Sequence, residues 1–468
     1  MIGRAERHYV SIDGGAGAHL LGELRHANPD LIEVSSPRHA DLMILVEPVS
    51  SALAPFVAEV YRALPRPRDA VAVRRSGAPH GTVAQLDSVL PAVRRVADGT
   101  PFAVVAAALG GQSAAPRDDL HAPNIDPFTV RLPSKNEREI ATELVVVTLG
   151  PIQSFTAGPL RLVLVCDGEQ VMSARVDAGY ARRDIASAMR QSSWADAARL
   201  AAELDPLAPL AGRLAFVAAV EQIQGRPASP SVQAARDVVL GLERAQNHLS
   251  WLERFAAVLA HDALADEAIR LGSRLREVVS DSTDPSHQSI SPSAGAASRH
   301  ILVASVRALA SETTALRSRL AGDRLLASRT RRTGVIDGSR DAAGVTGPVR
   351  RASIDGEGDV RSRLLVRLDD VVADLQLAVD LSARMDRAAE PLDRRVPAGE
   401  ATAMVRGPRG EIQVRVSSSG GDSPSLVEWT RPSAIVLTII PELLAGQRLA
   451  DAEVIVASLD IATAEADG

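Results

Sequence analysis

Residues 229–264 constrain this chain more than any other stretch. Ser229 is a capping residue type, Pro230 suits a first helical position, and no further Pro follows before Leu264. Ala235, Val238, Leu242, Ala245, Leu249, Leu252, Ala256 and Leu259 recur three and four apart as one apolar stripe. Arg236, Asp237, Glu243, Arg244, Glu253 and Arg254 lie off it. The spacing predicts one long amphipathic helix from Ser229 to Leu264. Leu214 to Gln224 reads as a shorter helix closed by Gly225, with Pro227 beyond. The pair is expected to form a helical hairpin at the core of a bundle.

The cysteine count excludes more chemistry than the charge does. Among 468 residues there is one cysteine, Cys166, so no disulfide can form within the chain. Iron–sulfur clusters normally take four thiolates and structural zinc several. Cys166 itself falls in an expected strand and reads as an inert thiol. Hydrophobic residues make up 46% but aromatics only 3%, so cores must be built from Ala, Val and Leu in helix-heavy packing. A net charge of −6 gives no electrostatic basis for binding nucleic acid. Lys135 is the sole lysine, against a background of arginine. No run approaches the roughly eighteen apolar residues that span a bilayer, and the first residues lack the apolar region of a signal peptide. The chain is expected to be soluble and cytoplasmic, and to meet a membrane only through partners.

Residues 8–105 alternate strand and helix, the pattern of a parallel sheet covered by helices. Strands are expected at His8–Asp13, Leu31–Val34, Asp41–Val46 and Ala70–Val73, with helices at His19–Ala27 and Ala54–Leu64. Pro101 to Ala108 is a further buried element. Gly14-Gly-Ala-Gly17 sits where a dinucleotide turn would, but Leu20 replaces the third glycine of G-x-G-x-x-G, so a plain βα turn is the simpler reading. Residues 110–126 read as a linker. Strands follow at 144–149 and 160–176 around Asp167-Gly168, then a helical run from Ile185 to Glu203. Residues 280–298 are Ser/Pro-rich and expected to be a mobile surface loop. His300–Leu320 and Val360–Leu381 complete a bundle of at least four helices. The tail returns to strands at Thr402–Arg406, Glu411–Val416 and Glu453–Ser458, with a short helix at Ile435–Leu444.

In their shared order these blocks resemble the small and large subunits of respiratory complex I and of membrane-bound nickel–iron hydrogenases, fused in one chain. The small-subunit likeness rests on Ser36-Pro-Arg-His-Ala-Asp-Leu-Met-Ile-Leu45, Ala54-Pro and Val60-Tyr-Arg-Ala-Leu-Pro-Arg-Pro-Arg68. The likeness to the large, 49-kilodalton-type subunit rests on seven blocks. These are Arg131-Leu-Pro with Glu137-Arg-Glu, Leu149-Gly-Pro with Leu160-Arg-Leu, Leu242-Glu-Arg with Asn247-His248, Thr346-Gly-Pro-Val-Arg-Arg-Ala-Ser353, Gly358-Asp-Val, Gly399-Glu with Gly407-Pro-Arg-Gly-Glu411, and Val456-Ala-Ser-Leu-Asp460. The resemblance implies a flavodoxin-like α/β domain over 1–109, a linker over 110–126 and an α+β domain over 127–468. Within the last it implies β structure at 127–180, a helical bundle at 181–390 and a β-rich part at 395–468.

The departures carry the functional expectation. The places of the small subunit's cluster thiolates correspond to Gly15, Ala18, Ser76 and Thr100. Those of the hydrogenase nickel cysteines correspond to Asp205, Ala208, Ala462 and Glu465. In the complex I quinone site, the histidine-bearing loop matches Gly150 to Gly158 with Gln153 and Ala157 in the histidine places, and the tyrosine place falls at Pro206. Gly and Ala offer no donor atom, and Ser or Thr hydroxyls bind low-valent iron weakly beside thiolate. Asp205 and Glu465 are candidates to share a hard cation, the plainer alternative being ion pairs with arginine. His248 reads as a packing residue, and Arg329, Arg331, Arg332, Arg350 and Arg351 as a solvated face able to grip an acidic partner. No catalytic residue, metal or cofactor is assigned. The expected function is a redox-inactive coupling subunit of a membrane ion-translocating assembly, its partners complex-I- or antiporter-type membrane subunits, peripheral to the inner membrane. The alternatives are a subunit of an active quinone oxidoreductase or formate-hydrogenlyase-type complex that lines a pocket without its own metal, and a nucleotide-binding regulator using Gly14–Gly17.

Overall fold

The computed structural model describes residues 7–15, 17–27, 30–34, 36–65, 68–73, 93–96, 101–109, 144–280, 296–337, 344–382 and 392–468. The expected linker, Lys135, Arg131, Glu137, Ser76 and Thr100 lie outside these residues, as does the core of the Ser/Pro-rich loop. Contacts divide the chain into two compact units, residues 1–183 with 440–452 and 461–468, and residues 184–439 with 453–460.

In the first unit, β1 (Arg7–Asp13), α1 (Ala18–Ala27), β2 (Leu31–Glu33), β3 (Leu42–Val46), α2 (Ala54–Ala63), β4 (Asp69–Val73), β5 (Arg94–Val96) and α3 (Pro101–Leu109) follow in order. The five strands are parallel in the order β2-β1-β3-β4-β5, the flavodoxin-like winding. β3, Leu-Met-Ile-Leu-Val, is buried along its length because both faces of the sheet are covered. Strand alternation then sorts side chains. Val10, Ile12, Met43, Leu45, Ala70 and Ala72 face Val57, Val60 and Tyr61 of α2. Tyr9, Leu42, Ile44, Val71 and Val73 face Leu21 and Leu24 of α1 and Val104 and Ala108 of α3. A second sheet of β6 (Leu144–Leu149), β7 (Arg161–Asp167) and β8 (Gln170–Asp177) is antiparallel, its hairpin closed by Gly168 at φ +55.

The second unit holds α4 (Ile185–Arg190), α5 (Trp194–Ala202), α6 (Pro209–Gln224), α7 (Pro230–Val258), α8 (Asp262–Ser280), α9 (Ala296–Gly322), α10 (Arg324–Thr330), α11 (Gly347–Asp355) and α12 (Val360–Leu381). β9 (Gly399–Arg406), β10 (Glu411–Ser418) and β11 (Leu426–Thr430) form an antiparallel sheet. α13 (Pro432–Leu444), α14 (Ala452–Ala457) and α15 (Thr463–Asp467) end the chain. α7, α8, α9 and α12 are the bundle, with α8, which the sequence reading did not foresee, in the place expected for α6, and α7 approaches α12 closely enough that a Cβ at Gly241 would lie 3.3 Å from the Asp374 carbonyl.

Three expectations need correction. Residues 229–264 are two helices, because Ala260 turns left-handed at φ +54 and the His261 N–H donates back to the Ala256 carbonyl at 2.9 Å. The hairpin of α6 and α7 is not the bundle core. α6 instead lays Leu214, Phe216, Ala219 and Val220 on Ile412, Val414 and Val416 of the sheet, with Trp194 stacked on Phe216 at 6.2 Å. Glu453–Ser458 is not a strand but α14 and its C-terminus, with the Ser458 hydroxyl donating to the Ile455 carbonyl at 2.6 Å. The strand Leu426–Thr430 carries too weak an alternation to be read from sequence.

Candidate functional site

The glycine turn stands at the carboxyl end of β1, beside β3, where the strand order reverses and an open α/β sheet usually takes its ligand. Its amides are already used. One oxygen of Asp13 accepts from the Gly15 N–H at 2.8 Å and the Gly17 N–H at 2.7 Å, so a carboxylate occupies the cradle a phosphate would need. A Cβ on Gly14 would collide with the Pro48 carbonyl at 2.0 Å. Nothing in this geometry favours a nucleotide.

Within the same unit the structure brings together three of the singled-out positions: Gly15, Ala157 and Ala462. Ala157 pairs with Ala462 in a parallel bridge, its N–H donating to the Ile461 carbonyl at 3.0 Å and its carbonyl accepting from the Thr463 N–H at 2.9 Å. Gly158 lies so close to Gly15 that a Cβ there would meet the Gly15 Cα at 2.9 Å. Around Gly15 the nearest side-chain atoms are the methyls of Ala181 and Ala464. Neither methyl offers a metal a lone pair. Gln153 turns inward on its own loop: its amide donates to Thr156 Oγ1 and, at 3.0 Å, to the Gly158 carbonyl, while its oxygen accepts from the Thr156 N–H. Glu465 is fully buried in this unit and makes contacts of its own. Ala18 opens α1.

The second unit contains the more elaborate arrangement. Asp205, 1% exposed, is paired with the guanidinium of Arg409, itself 3% exposed. Arg409 also donates to Asn247 Oδ1 at 3.1 Å, and Asn247 passes a donor on to the Leu207 carbonyl at 3.1 Å. Pro206 and Ala208 are buried beside this link. The loop bearing Asp205, Pro206 and Ala208 is thus tied down by an internal cation, the plainer of the two expectations for Asp205.

Beyond Arg409, four consecutive residues at the end of α14 are each held by one side chain from α7 or α12. Trp251 Nε1 donates to the Ala457 carbonyl at 2.8 Å, and Arg363 Nε to Ser458 Oγ at 2.9 Å. Arg367 donates to the Leu459 carbonyl at 3.1 Å, and Arg254 to Asp460 Oδ1 at 3.2 Å. Arg367 lies over the Trp251 ring, 4.5 Å from its centroid. Asp460 also faces Arg409 at 3.9 Å and Arg367 at 4.0 Å. A second lattice adjoins it on the same helices. Arg244 forks onto Asp374, with Nε 3.0 Å from Oδ2, and Asp370 takes Arg351 and, at 2.8 Å, Arg406.

Two titratable groups lie within this polar seam. Burial, followed by the charges of Arg367, Arg244, Arg406 and Arg351, holds His248 well below the ordinary imidazole range, so it is neutral. Its Nδ1 has no hydrogen-bond partner among the described residues. Glu243 accepts the Leu210 and Ala211 N–H groups at 2.8 and 3.1 Å, capping α6 from α7. Burial pushes its carboxyl up to about 8 despite those donors and Arg244. Cys166 is 1% exposed in β7 with its thiol pushed up by burial, which disfavours the thiolate. No group of three or more His, Cys, Asp or Glu able to hold a metal occurs among the described residues.

Sequence reasoning missed the seam because it set Arg236, Arg244 and Glu253 outside the apolar stripe as though solvated. All three are buried. The signal was present in α12, where Arg363, Arg367, Asp370 and Asp374 recur three and four apart on one face.

Comparison with known proteins places this architecture. Residues 391–468 match the family described as the respiratory-chain NADH dehydrogenase 49 Kd subunit. An NADH-quinone oxidoreductase subunit from Roseiflexus castenholzii is 27% identical over 395 residues, covering 69% of this chain and 93% of that protein. Another NADH-quinone oxidoreductase subunit, from Aquifex aeolicus, is 23% identical over 403 residues, covering 74% of this chain and 68% of that protein. Among solved structures, a chain of the membrane-bound sulfane sulfur reductase, an archaeal respiratory membrane complex, superposes with a TM-score of 0.63 at 23% identity, covering 70% of this chain and all of that one. The fold of the large-subunit-like part is therefore that of a respiratory-complex subunit. No helix among the described residues is long and apolar enough to cross a membrane.

Proposed function

We propose that this chain, similar to the 49-kilodalton-type subunit of NADH-quinone oxidoreductases, is a redox-inactive structural and coupling subunit of a complex-I-like or hydrogenase-like membrane assembly that moves ions. Its small-subunit-like part would be residues 1–109 and its large-subunit-like part residues 127–468, joined through 110–126. The observation that carries the reading is the chemistry at the singled-out positions. Gly15, Ala18, Ala208 and Ala462 have no donor atom, and Asp205 is neutralised by Arg409. Iron and nickel sites built on thiolates do not fit such a set, so no electron-transfer step is routed through this chain. What the residues do instead is mechanical: the arginines of α7 and α12 lock the 457–460 segment to the bundle. Partners would be complex-I- or antiporter-type membrane subunits, with this chain peripheral to the cell membrane on the cytoplasmic side. Metal analysis of the purified assembly tests this. The expected result is no iron or nickel assignable to this chain, and stoichiometric metal or an iron–sulfur paramagnetic signal in it overturns the reading.

The naming of its relatives as quinone oxidoreductases favours a second reading, in which this chain lines a quinone or substrate pocket while a partner carries the electrons. The 150–158 loop would be the lining segment. Quinone-dependent activity of the whole assembly that is lost in Gln153→Ala supports this reading over the first.

A further inference from the structure

In the first unit, the place where an open α/β sheet usually takes a ligand is filled by the chain itself. Residues 461–467 run beside Gly15, and Ala462, Thr463, Ala464 and Glu465 are each at most 2% exposed. The space they fill is narrow. A Cβ on Gly15 would lie 3.5 Å from the Ala464 methyl, and one on Gly158 would collide with the Thr463 hydroxyl. That hydroxyl donates to the Ala157 carbonyl at 3.2 Å, which adds to the Ala157–Ala462 bridge. At the carboxyl end of such a sheet a bound molecule is the usual occupant.

The far end of the segment is fastened by a carboxylate. Asp467 Oδ1 accepts the Gly179 N–H at 2.8 Å and its Oδ2 accepts the Ala181 N–H at 2.8 Å. Two amides of one turn thus converge on a single anion, the arrangement in which backbone concavities hold small anions, and such charge-assisted bonds are strong. The turn has supports besides Asp467. Between its two donors, the Tyr180 carbonyl accepts from the Ser50 hydroxyl, and the Tyr180 ring stands edge-on to Phe56 with centroids 5.9 Å apart. Gly179 supplies the left-handed backbone at φ +94, with open space where a Cβ would stand.

We propose that the 179–181 turn is a carboxylate-binding cradle filled from within by Asp467, which thereby seats residues 461–467 at the end of the parallel sheet. In the intact chain the tether gives Asp467 a high effective concentration, so it stays ahead of any dissolved carboxylate. Removing its side chain leaves two converging amides that a free carboxylate can take. The inference concerns the first unit alone and holds whether or not the assembly transfers electrons.

Thermal melting of the full chain in acetate, against chloride at equal ionic strength, tests it. Asp467→Ala is expected to lower the Tm, and acetate but not chloride to return part of the loss. The wild type is expected to melt alike in both salts. Hydrogen exchange gives a local reading: the Gly179 and Ala181 amides should exchange about tenfold faster in Asp467→Ala and slow again in acetate, with α7 unchanged. Asp467→Asn keeps the shape but turns an NH2 group toward one of the two donors. Should Asp467→Ala fail to fold, faster exchange at Gly179 or Ala181 in Asp467→Asn carries the test, and unchanged exchange there overturns the proposal. Acetate that stabilises wild type and Asp467→Ala alike, or neither, also overturns it, since Asp467 is then an ordinary tether and the turn no anion site. Variants that melt and exchange as the wild type does overturn it as well.

Discussion

Glu243 caps a helix it does not belong to, and that position makes it titrate where few carboxyls do. Its carboxyl is raised to about 8 from an ordinary 4.5, chiefly by burial. The folded protein therefore binds a proton there that the unfolded chain has released, across the whole interval from about 4.5 to 8. The contribution of this group is full at acid pH and is lost as pH rises through that window. Urea denaturation between pH 5 and 8 should show wild-type stability falling in part through this group, and Glu243→Gln should flatten the slope whatever it does to the absolute value. An unchanged slope would show that the carboxyl ionises normally. Residues of this kind were hardly legible in the sequence. Glu243 and Arg244 looked like the wet side of an amphipathic helix, because a one-dimensional pattern cannot show that a second polar stripe, on α12, comes to meet it. Glycine and alanine at the singled-out positions were legible, since the lack of a donor atom needs no coordinates to be seen.

At the level of elements, the parallel sheet was the easiest part to read, because strands buried on both faces must be apolar throughout, and Leu42–Val46 and Ala70–Val73 are. The end of α7 was the hardest. Helices commonly stop at a left-handed glycine, but here the left-handed residue is Ala260, and His261 then starts the next helix by accepting the Leu264 N–H on Nδ1 at 3.2 Å. An alanine in that conformation costs about 1–2 kcal/mol. Ala260→Gly is accordingly expected to stabilise the protein by about 0.5–1 kcal/mol, the rest being offset by the freer unfolded chain, and calorimetry would register it as a higher Tm. A lower Tm would mean that the Ala260 methyl makes a packing contribution larger than the strain. The 453–458 run misled for the opposite reason. Its Val and Ile residues favour a strand, but Trp251 and Arg363 hold the Ala457 carbonyl and the Ser458 hydroxyl of a helical end, and tertiary contact overrides a weak propensity.

For the molecule as a whole, the polar seam is a set of buried charges, each compensated by another. Removing one member of a buried ion pair strands the other at roughly 3–5 kcal/mol, whereas removing both costs much less. Arg409→Leu should therefore be strongly destabilising, and adding Asp205→Leu should return a large share of the loss. A double-mutant cycle read by urea denaturation measures this coupling, and strictly additive effects would show that Asp205 and Arg409 are independent. Trp251 and Arg254 each find their partners 206 positions further along the chain. A ribosome must therefore deliver nearly all of the second unit before its bundle can be closed. Until Ala457 to Asp460 emerge, a nascent chain carries three arginines and a tryptophan whose partners in that segment do not yet exist, so the bundle is fastened only when synthesis is almost over.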